Sequence, residues 1–289
     1  MLSTPLRKRL YSFCLGLLVL GLVVACQPSF PNAASPATRA TPGEDCRMIP
    51  HTLGETCVPL SPQRVVTLTH IDNALAVGIK PIGAATKNDN KVSTLLPEQA
   101  AGIENVGLLG EPNLEKIVQL KPDLILAAYP RPNYEQLSAI APTVLFWDQD
   151  PAYQHWQDMF LAYAEALGKT QAANDILNDY QQRTVELSAT LGDRLSTTEI
   201  SIVNFWASDV RLYLKQSFAG QILEDIGLPR PPAQDKDEWS TEHLSLEAIP
   251  QMAGDVIFLA IGGHEQSKLN QFIQHPLWTQ LEAVQKSRV

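Results

Sequence analysis

A fifteen-residue segment is written twice in this chain, and a repeat of that size constrains the fold more than any single motif. LEKIVQLKPDLILAA (Leu114 to Ala128) returns 132 residues later as LEAIPQMAGDVIFLA (Leu246 to Ala260), identical without a gap at seven of fifteen positions. Each copy reads as a helix with a glutamate in its first turn, then a turn at Asp123 or Asp255, then a buried strand. Two copies of one helix-turn-strand unit predict two similar lobes.

The surrounding pattern agrees. RVVTL (64–68), IKPIGA (79–84), DLILAA (123–128) and TVLFW (143–147) are short apolar runs of strand type, and DNALAVG (72–78), NLEKIVQL (113–120) and YEQLSAI (134–140) between them have helical spacing. Such alternation predicts βαβ units and a mainly parallel sheet, an α/β fold. After residue 197 it restarts with EISIVNF (199–205), SFAGQILEDIG (217–227), LSLEAIPQM (244–252) and DVIFLA (255–260). Between the two halves, Trp156, Met159, Phe160, Tyr163, Ala164 and Leu167 form one helical stripe, and Lys169 to Leu191 runs 23 residues without Gly or Pro, ending at a capping Gly192. Its apolar positions Ala173, Ile176, Leu177, Tyr180, Val185, Leu187 and Leu191 predict one buried face on a strut of roughly 34 Å. Trp147, Trp156 and Trp278 read as core.

The amino terminus reads as an export leader over residues 1–25: Arg7, Lys8 and Arg9, the apolar run Leu10 to Ala25, and VVAC, with Cys26 as the lipidated residue. The apolar run is short for a membrane span. Residues 26–60 then hold an unstructured tether rich in Pro, Ala, Ser and Thr, followed by Cys46 and Cys57, an even pair in an exported chain and so an expected disulfide. Loss of the leader takes the formal charge from −9 to −12, which argues against nucleic acid as a partner and leaves the lipid as the only membrane contact. The remaining boundaries are an amino-terminal lobe over 61–168, the strut over 169–191 and a carboxyl-terminal lobe over 192–289.

PQRVVTL, NALAVGIKPIGA, GEPNLEKIVQLKPDLILA and the long bridging helix together resemble the iron-siderophore substrate-binding proteins of ABC importers, a family that also includes binders of vitamin B12 and haem. The resemblance covers about residues 46 to 289. It implies two Rossmann-like lobes joined by one rigid helix, the class III periplasmic-binding-protein fold, with a ferric siderophore held between them by a monomer. It also implies that Glu115 and Glu247, one on each lobe, dock onto arginines of the ABC permease. On the residues alone both glutamates would simply favour their helix N-termini. Relatives continue past the segment matching WTQLEAVQKSRV with a further strand and helix, so the carboxyl-terminal lobe is expected to lack these and to expose a sheet edge.

Ligands of open α/β sheets sit beyond the carboxyl ends of the strands. That rule points to Tyr129, Pro130 and Arg131 in the first lobe and to Ile261, Gly262, Gly263 and His264 in the second. A ferric siderophore arrives with its metal already coordinated, so the protein needs arginines and aromatics rather than iron ligands, and no cofactor or direct metal site is expected. The ligand-binding candidates are Tyr129, Arg131, Trp206, Arg211 and Trp239, with His70, Lys87 and Tyr213 also following strands. Arg211 rests on the resemblance, and a salt bridge to Asp209 or Asp72 is its plainer role. Trp206 and Tyr129 could be strand-end core, Trp239 could pack its own loop, and Arg131 could be a solvated charge. Haem or cobalamin remains open through Tyr129 or His264. His70 and His264 could bind a metal as a pair across the cleft, but no cluster of ligand spacing supports it. An enzyme finds no support, because GxSxG, Walker A, GxGxxG and HExxH are all absent.

Overall fold

The structure is a computed structural model that describes residues 46–86, 92, 96–127, 133–147, 150–206, 209–263 and 266–289. The leader and Cys26 therefore lie outside the described residues, as do Lys87, Tyr129, Pro130, Arg131 and His264.

The chain opens with a hairpin of β1 (Cys46–His51) and β2 (Gly54–Pro59), cross-linked by a disulfide between Cys46 and Cys57 with a Cα separation of 5.7 Å. Next come β3 (Val65–Thr67), α1 (Ile71–Ala76), β4 (Gly83–Thr86), β5 (Glu104–Leu108) and β6 (Glu111–Pro112). They are followed by α2 (Leu114–Leu120), β7 (Leu124–Ala127), α3 (Tyr134–Ile140) and β8 (Thr143–Leu145). Six strands form one sheet in the order β6-β5-β4-β3-β7-β8, parallel except for the short β6 at one edge. Both faces are covered: Leu124 and Leu126 enter one core with Phe146, Phe160 and Tyr163, and Ile125 and Ala127 enter another with Ile117 and Leu137. That double burial is why LILA is apolar throughout rather than alternating.

The disulfide hairpin belongs to this lobe's core through Ile49 and Val58. It lies against the open edge at β8, where Thr52 N donates to Leu145 O at 3.0 Å and the Thr56 hydroxyl donates to Thr143 O at 2.9 Å. A covered edge cannot recruit another strand. His51 is buried at the join, with Nε2 2.9 Å from the Thr56 hydroxyl and 3.2 Å from the Tyr134 hydroxyl, while its Nδ1 accepts from Leu53 N at 3.2 Å. The last contact needs a neutral ring, and burial pushes the His51 pKa below its ordinary value.

α4 (Trp156–Ala166) leads to the strut, α5 (Thr170–Leu191). The expected apolar face of α5 packs only in part, through Ala173, Leu177 and Tyr180. Ile176, Val185 and Leu187 are exposed, and only Ala173 and Thr184 are buried. The packed stripe is Ala173, Leu177, Tyr180, Thr184 and Ser188, at steps of three or four residues, and it turns polar where the helix leaves the first lobe.

The second lobe contains β9 (Ile200–Trp206), β10 (Asp209–Leu212), α6 (Phe218–Ile226), a 3₁₀ helix over Leu246–Met252 and β11 (Val256–Gly262). Three short helices follow, α7 (Gln266–Ile273), α8 (Pro276–Thr279) and α9 (Glu282–Gln285). The sheet has the order β10-β9-β11, with β9 antiparallel to β10 and parallel to β11. β11 is an edge strand whose Phe258 is 58% exposed, and its Ile257 N donates to Arg288 O at 2.9 Å. Trp278 is buried in this lobe's core, as expected. Trp156 packs, half-buried, against the first lobe's core at the junction, its ring edge-on to Tyr180 of the strut and near Phe218 of α6.

That junction is held by polar contacts. Trp156 N donates to the Gln221 side chain at 2.9 Å, and the same amide donates to Gln154 O and Gln216 O. Asp225 accepts from Gln157 at 2.8 Å and from the Tyr180 hydroxyl at 2.7 Å. One buried amide and one carboxylate on α6 thus tie the second lobe to the first and to the strut.

Candidate functional site

The carboxyl ends of the second lobe's strands are where the described residues gather. Register places Trp206 opposite both Asp209 and Gly262, and Arg211 opposite Asn204. Directly paired residues share a face of a sheet, so Trp206, Asp209, Arg211 and Gly262 all project from one side, with Phe205 and Val210 on the other.

Asp209 organises the polar part. It accepts from Arg211 Nε at 2.6 Å and pairs with His243 Nδ1 at 2.6 Å. Burial would raise the Asp209 pKa, but the hydrogen bonds and charges of His243 and Arg211 outweigh it and hold the carboxyl below its ordinary value. The salt bridge expected as the plainer role of Arg211 is therefore formed, yet it uses only Nε. Among the described residues no acceptor engages the two terminal guanidinium nitrogens. Asp209 cancels the Arg211 charge, so what the guanidinium offers a ligand is oriented donors rather than net attraction.

Trp206 stands at the end of β9, 46% exposed. Trp239 is half-exposed and lies farther along, past β10. Trp239 O accepts from Leu214 N, and its ring packs edge-on against Tyr213 at 4.9 Å, two residues beyond Arg211. His70 follows β3 with a left-handed backbone and lies edge-on to Tyr163. Among the described residues no group of three or more His, Cys, Asp or Glu side chains could hold a metal ion.

Behind the sheet, on the Phe205 side, lies a cavity of about 350 Å³ lined by Val210, His243, Leu246, Lys268 and Phe272 among others. Its volume is near the lower end for a small-molecule site. His243 links it to Asp209 on the other side. Neither His243 nor Lys268 is marked by a local pattern. Asp209 and Arg211 share a face through their spacing of two, but the histidine arrives from a loop 34 residues later.

Glu115 and Glu247 occupy equivalent places in the two copies of the repeat. Each is exposed in the first turn of its helix, after a polar cap residue, Asn113 or Ser245. Asn113 accepts from Lys116 N at 3.0 Å. Glu247 is held below the ordinary carboxylate pKa by hydrogen bonds from the Ser245 hydroxyl and its own backbone N–H.

The pattern that describes the periplasmic binding proteins matches residues 65–289. The chain belongs to that family of binding proteins. It is 34% identical over 292 residues to a probable siderophore-binding lipoprotein of Bacillus subtilis (strain 168), covering 95% of this chain and 86% of the relative. The Fe(3+) dicitrate-binding periplasmic protein of Escherichia coli (strain K12) is 30% identical over 237 residues, covering 79% and 76%. Among solved structures, Staphylococcus aureus SirA complexed with staphyloferrin B superposes with a TM-score of 0.72 at 31% identity, covering 84% of this chain and 88% of that one. This family's two-lobed α/β architecture with a long connecting helix is the one described above.

Proposed function

We propose that this binding protein is the extracytoplasmic component of an ABC importer that captures an iron(III)-siderophore complex between its lobes and delivers it to the membrane permease. The observation that carries the reading is the strand-end edge where an exposed indole and a half-free guanidinium share one face, in a chain whose relatives are named for siderophore and ferric dicitrate binding. Iron enters only as its complex, as cargo. The ligand contacts are Trp206 and Arg211 in the second lobe, with Tyr129 and Arg131 supplied by the first. Trp239 completes the set, half-exposed and packed against Tyr213 two residues beyond Arg211.

Two further parts belong to the proposal. Glu115 and Glu247 are the permease contacts, supported by their exposure at matched first-turn positions. Cys26 carries the lipid that tethers the exported monomer, supported by the lipoprotein relatives; among the described residues no helix is long and apolar enough to cross a membrane.

The test is binding of ferric complexes by the protein and its Arg211→Ala variant. Saturable binding that weakens by about tenfold in the variant with an unchanged unfolding transition is expected, the size of one charge-assisted contact. Equal affinity would remove Arg211 from the site.

A further inference from the structure

Trp206 lies against bare backbone. A methyl group built on Gly262 would stand 2.4 Å from Cζ3 and 2.5 Å from Cε3 of Trp206, against the six-membered ring. One built on Gly263 would stand 3.0 Å from Cε2 and 3.2 Å from Nε1, at the ring fusion. The indole thus extends across both residues in turn, over the carboxyl end of β11.

The two glycines differ in what requires them. Gly263 has φ +53°, a backbone conformation that itself favours glycine. Gly262 has no positive φ, so its own backbone would accept any residue; what a side chain there would meet first is the Trp206 ring. At Gly220, by contrast, a methyl would meet the carbonyl oxygen of Leu214 at 2.0 Å, and the fold itself forbids it. Substitution at Gly262 meets the far end of a side chain that can swing away.

We infer that Gly262 and Gly263 are positioning residues, a side-chain-free platform that holds the Trp206 indole flat across the strand ends and keeps its outer face open to the cargo. The inference rests on the reading of Trp206 as a ligand contact. A ring already held in place does not have to be immobilised when the ligand arrives, and that saving is worth about three- to tenfold in affinity for one side chain.

The experiment compares Gly262→Ala, Trp206→Ala and the double variant with the parent chain, using two readouts. The first needs no ligand: acrylamide quenching of Trp206, isolated from the other four tryptophans by difference against Trp206→Phe. Gly262→Ala is expected to change the quenching of Trp206, and an unchanged value overturns the platform. The second is affinity for ferric citrate. Gly262→Ala is expected to weaken it three- to tenfold in the parent and not at all in the Trp206→Ala background. Equal weakening in both backgrounds overturns the claim that the glycine acts through the indole. If Trp206→Ala leaves affinity unchanged, the ligand role of Trp206 fails while the quenching result still decides the platform.

Discussion

The two copies of the repeat match at an exposed glutamate, at buried isoleucines and at the turn aspartate, and differ at most other positions. In the first lobe Asp123 accepts from Gln63 N and Arg64 N at 2.8 and 2.9 Å, and its own N donates to Arg64 O. In the second lobe Asp255 accepts from Glu199 N at 2.9 Å, and its N donates to Glu199 O. Each aspartate thus clamps the start of the lobe's first strand to the strand that the repeat encodes, and the registers match, with Leu124 opposite Val65 and Val256 opposite Ile200. Ile117 and Ile249, like Ile125 and Ile257, are buried in their own lobe's core, and much of the rest varies. Val118 sits in an α-helix where Pro250 sits in a 3₁₀ helix, and the strand is buried throughout in one lobe and lies at an exposed edge in the other. What the repeat preserves is the join between helix, turn and strand, together with the glutamate presented at its start.

The largest expected effect tests that glutamate. Glu115→Ala combined with Glu247→Ala should abolish uptake of a ferric complex by cells while leaving its affinity for the purified protein unchanged. Normal uptake would reduce the matched glutamates to helix-terminus residues. The clamp comes next: Asp123→Ala should cost about 2 kcal/mol and Asp255→Ala about 1 kcal/mol in urea unfolding, because the first loses two charge-assisted contacts and the second one. Equal losses would break the account of why the lobes differ.

Edge protection differs between the lobes as well, and pH separates them. The His51 pKa is lower in the fold than in the unfolded chain, so its contribution is complete above the ordinary value of 6.5 and is lost as pH falls from there through the folded value. Stability to urea should therefore fall as pH drops from 7 to 5, and His51→Gln should flatten that slope. A slope unchanged by the substitution would assign it to other groups. The smallest effect is at the repeat's fifth position. Pro250→Ala should move stability by no more than about 0.5 kcal/mol, since the regained N–H offsets the regained freedom of the unfolded chain, and circular dichroism should show slightly more helix.

Much of this architecture is legible in the sequence where burial is one-sided or complete. LILA, VLF and the stripe through Met159, Phe160 and Tyr163 announce themselves because every apolar position is used. β5 and β6 are not legible: ENVGL carries one buried valine, and the turn into α2 depends on Gly107 at φ +111°, where a methyl would meet Asn113 N at 2.8 Å. The face of α5 is misread in part, for a related reason. Apolar periodicity marks Val185 and Leu187, but the helix crosses between lobes and docks through Tyr180, Thr184 and Ser188, whose hydroxyls find partners on α6 or in the preceding turn. At the candidate site, Trp206 follows from its place at a strand end and Arg211 from the family resemblance. His243, which pairs with Asp209, comes from a distant loop and leaves no local signal, whereas Gly262 lies at the strand end that the rule for open sheets marks.

The central claim is that the paired lobes capture a ferric siderophore. Its most direct test is a tryptophan-fluorescence titration of residues 46 to 289 against ferric citrate, a ferric hydroxamate, a ferric catecholate, haem and cobalamin, with native mass spectrometry to separate binding from absorption of the emitted light. Saturable, stoichiometric binding of one ferric complex, with haem and cobalamin unbound, is the expected result. Binding of haem or cobalamin in preference to all three ferric complexes would contradict it.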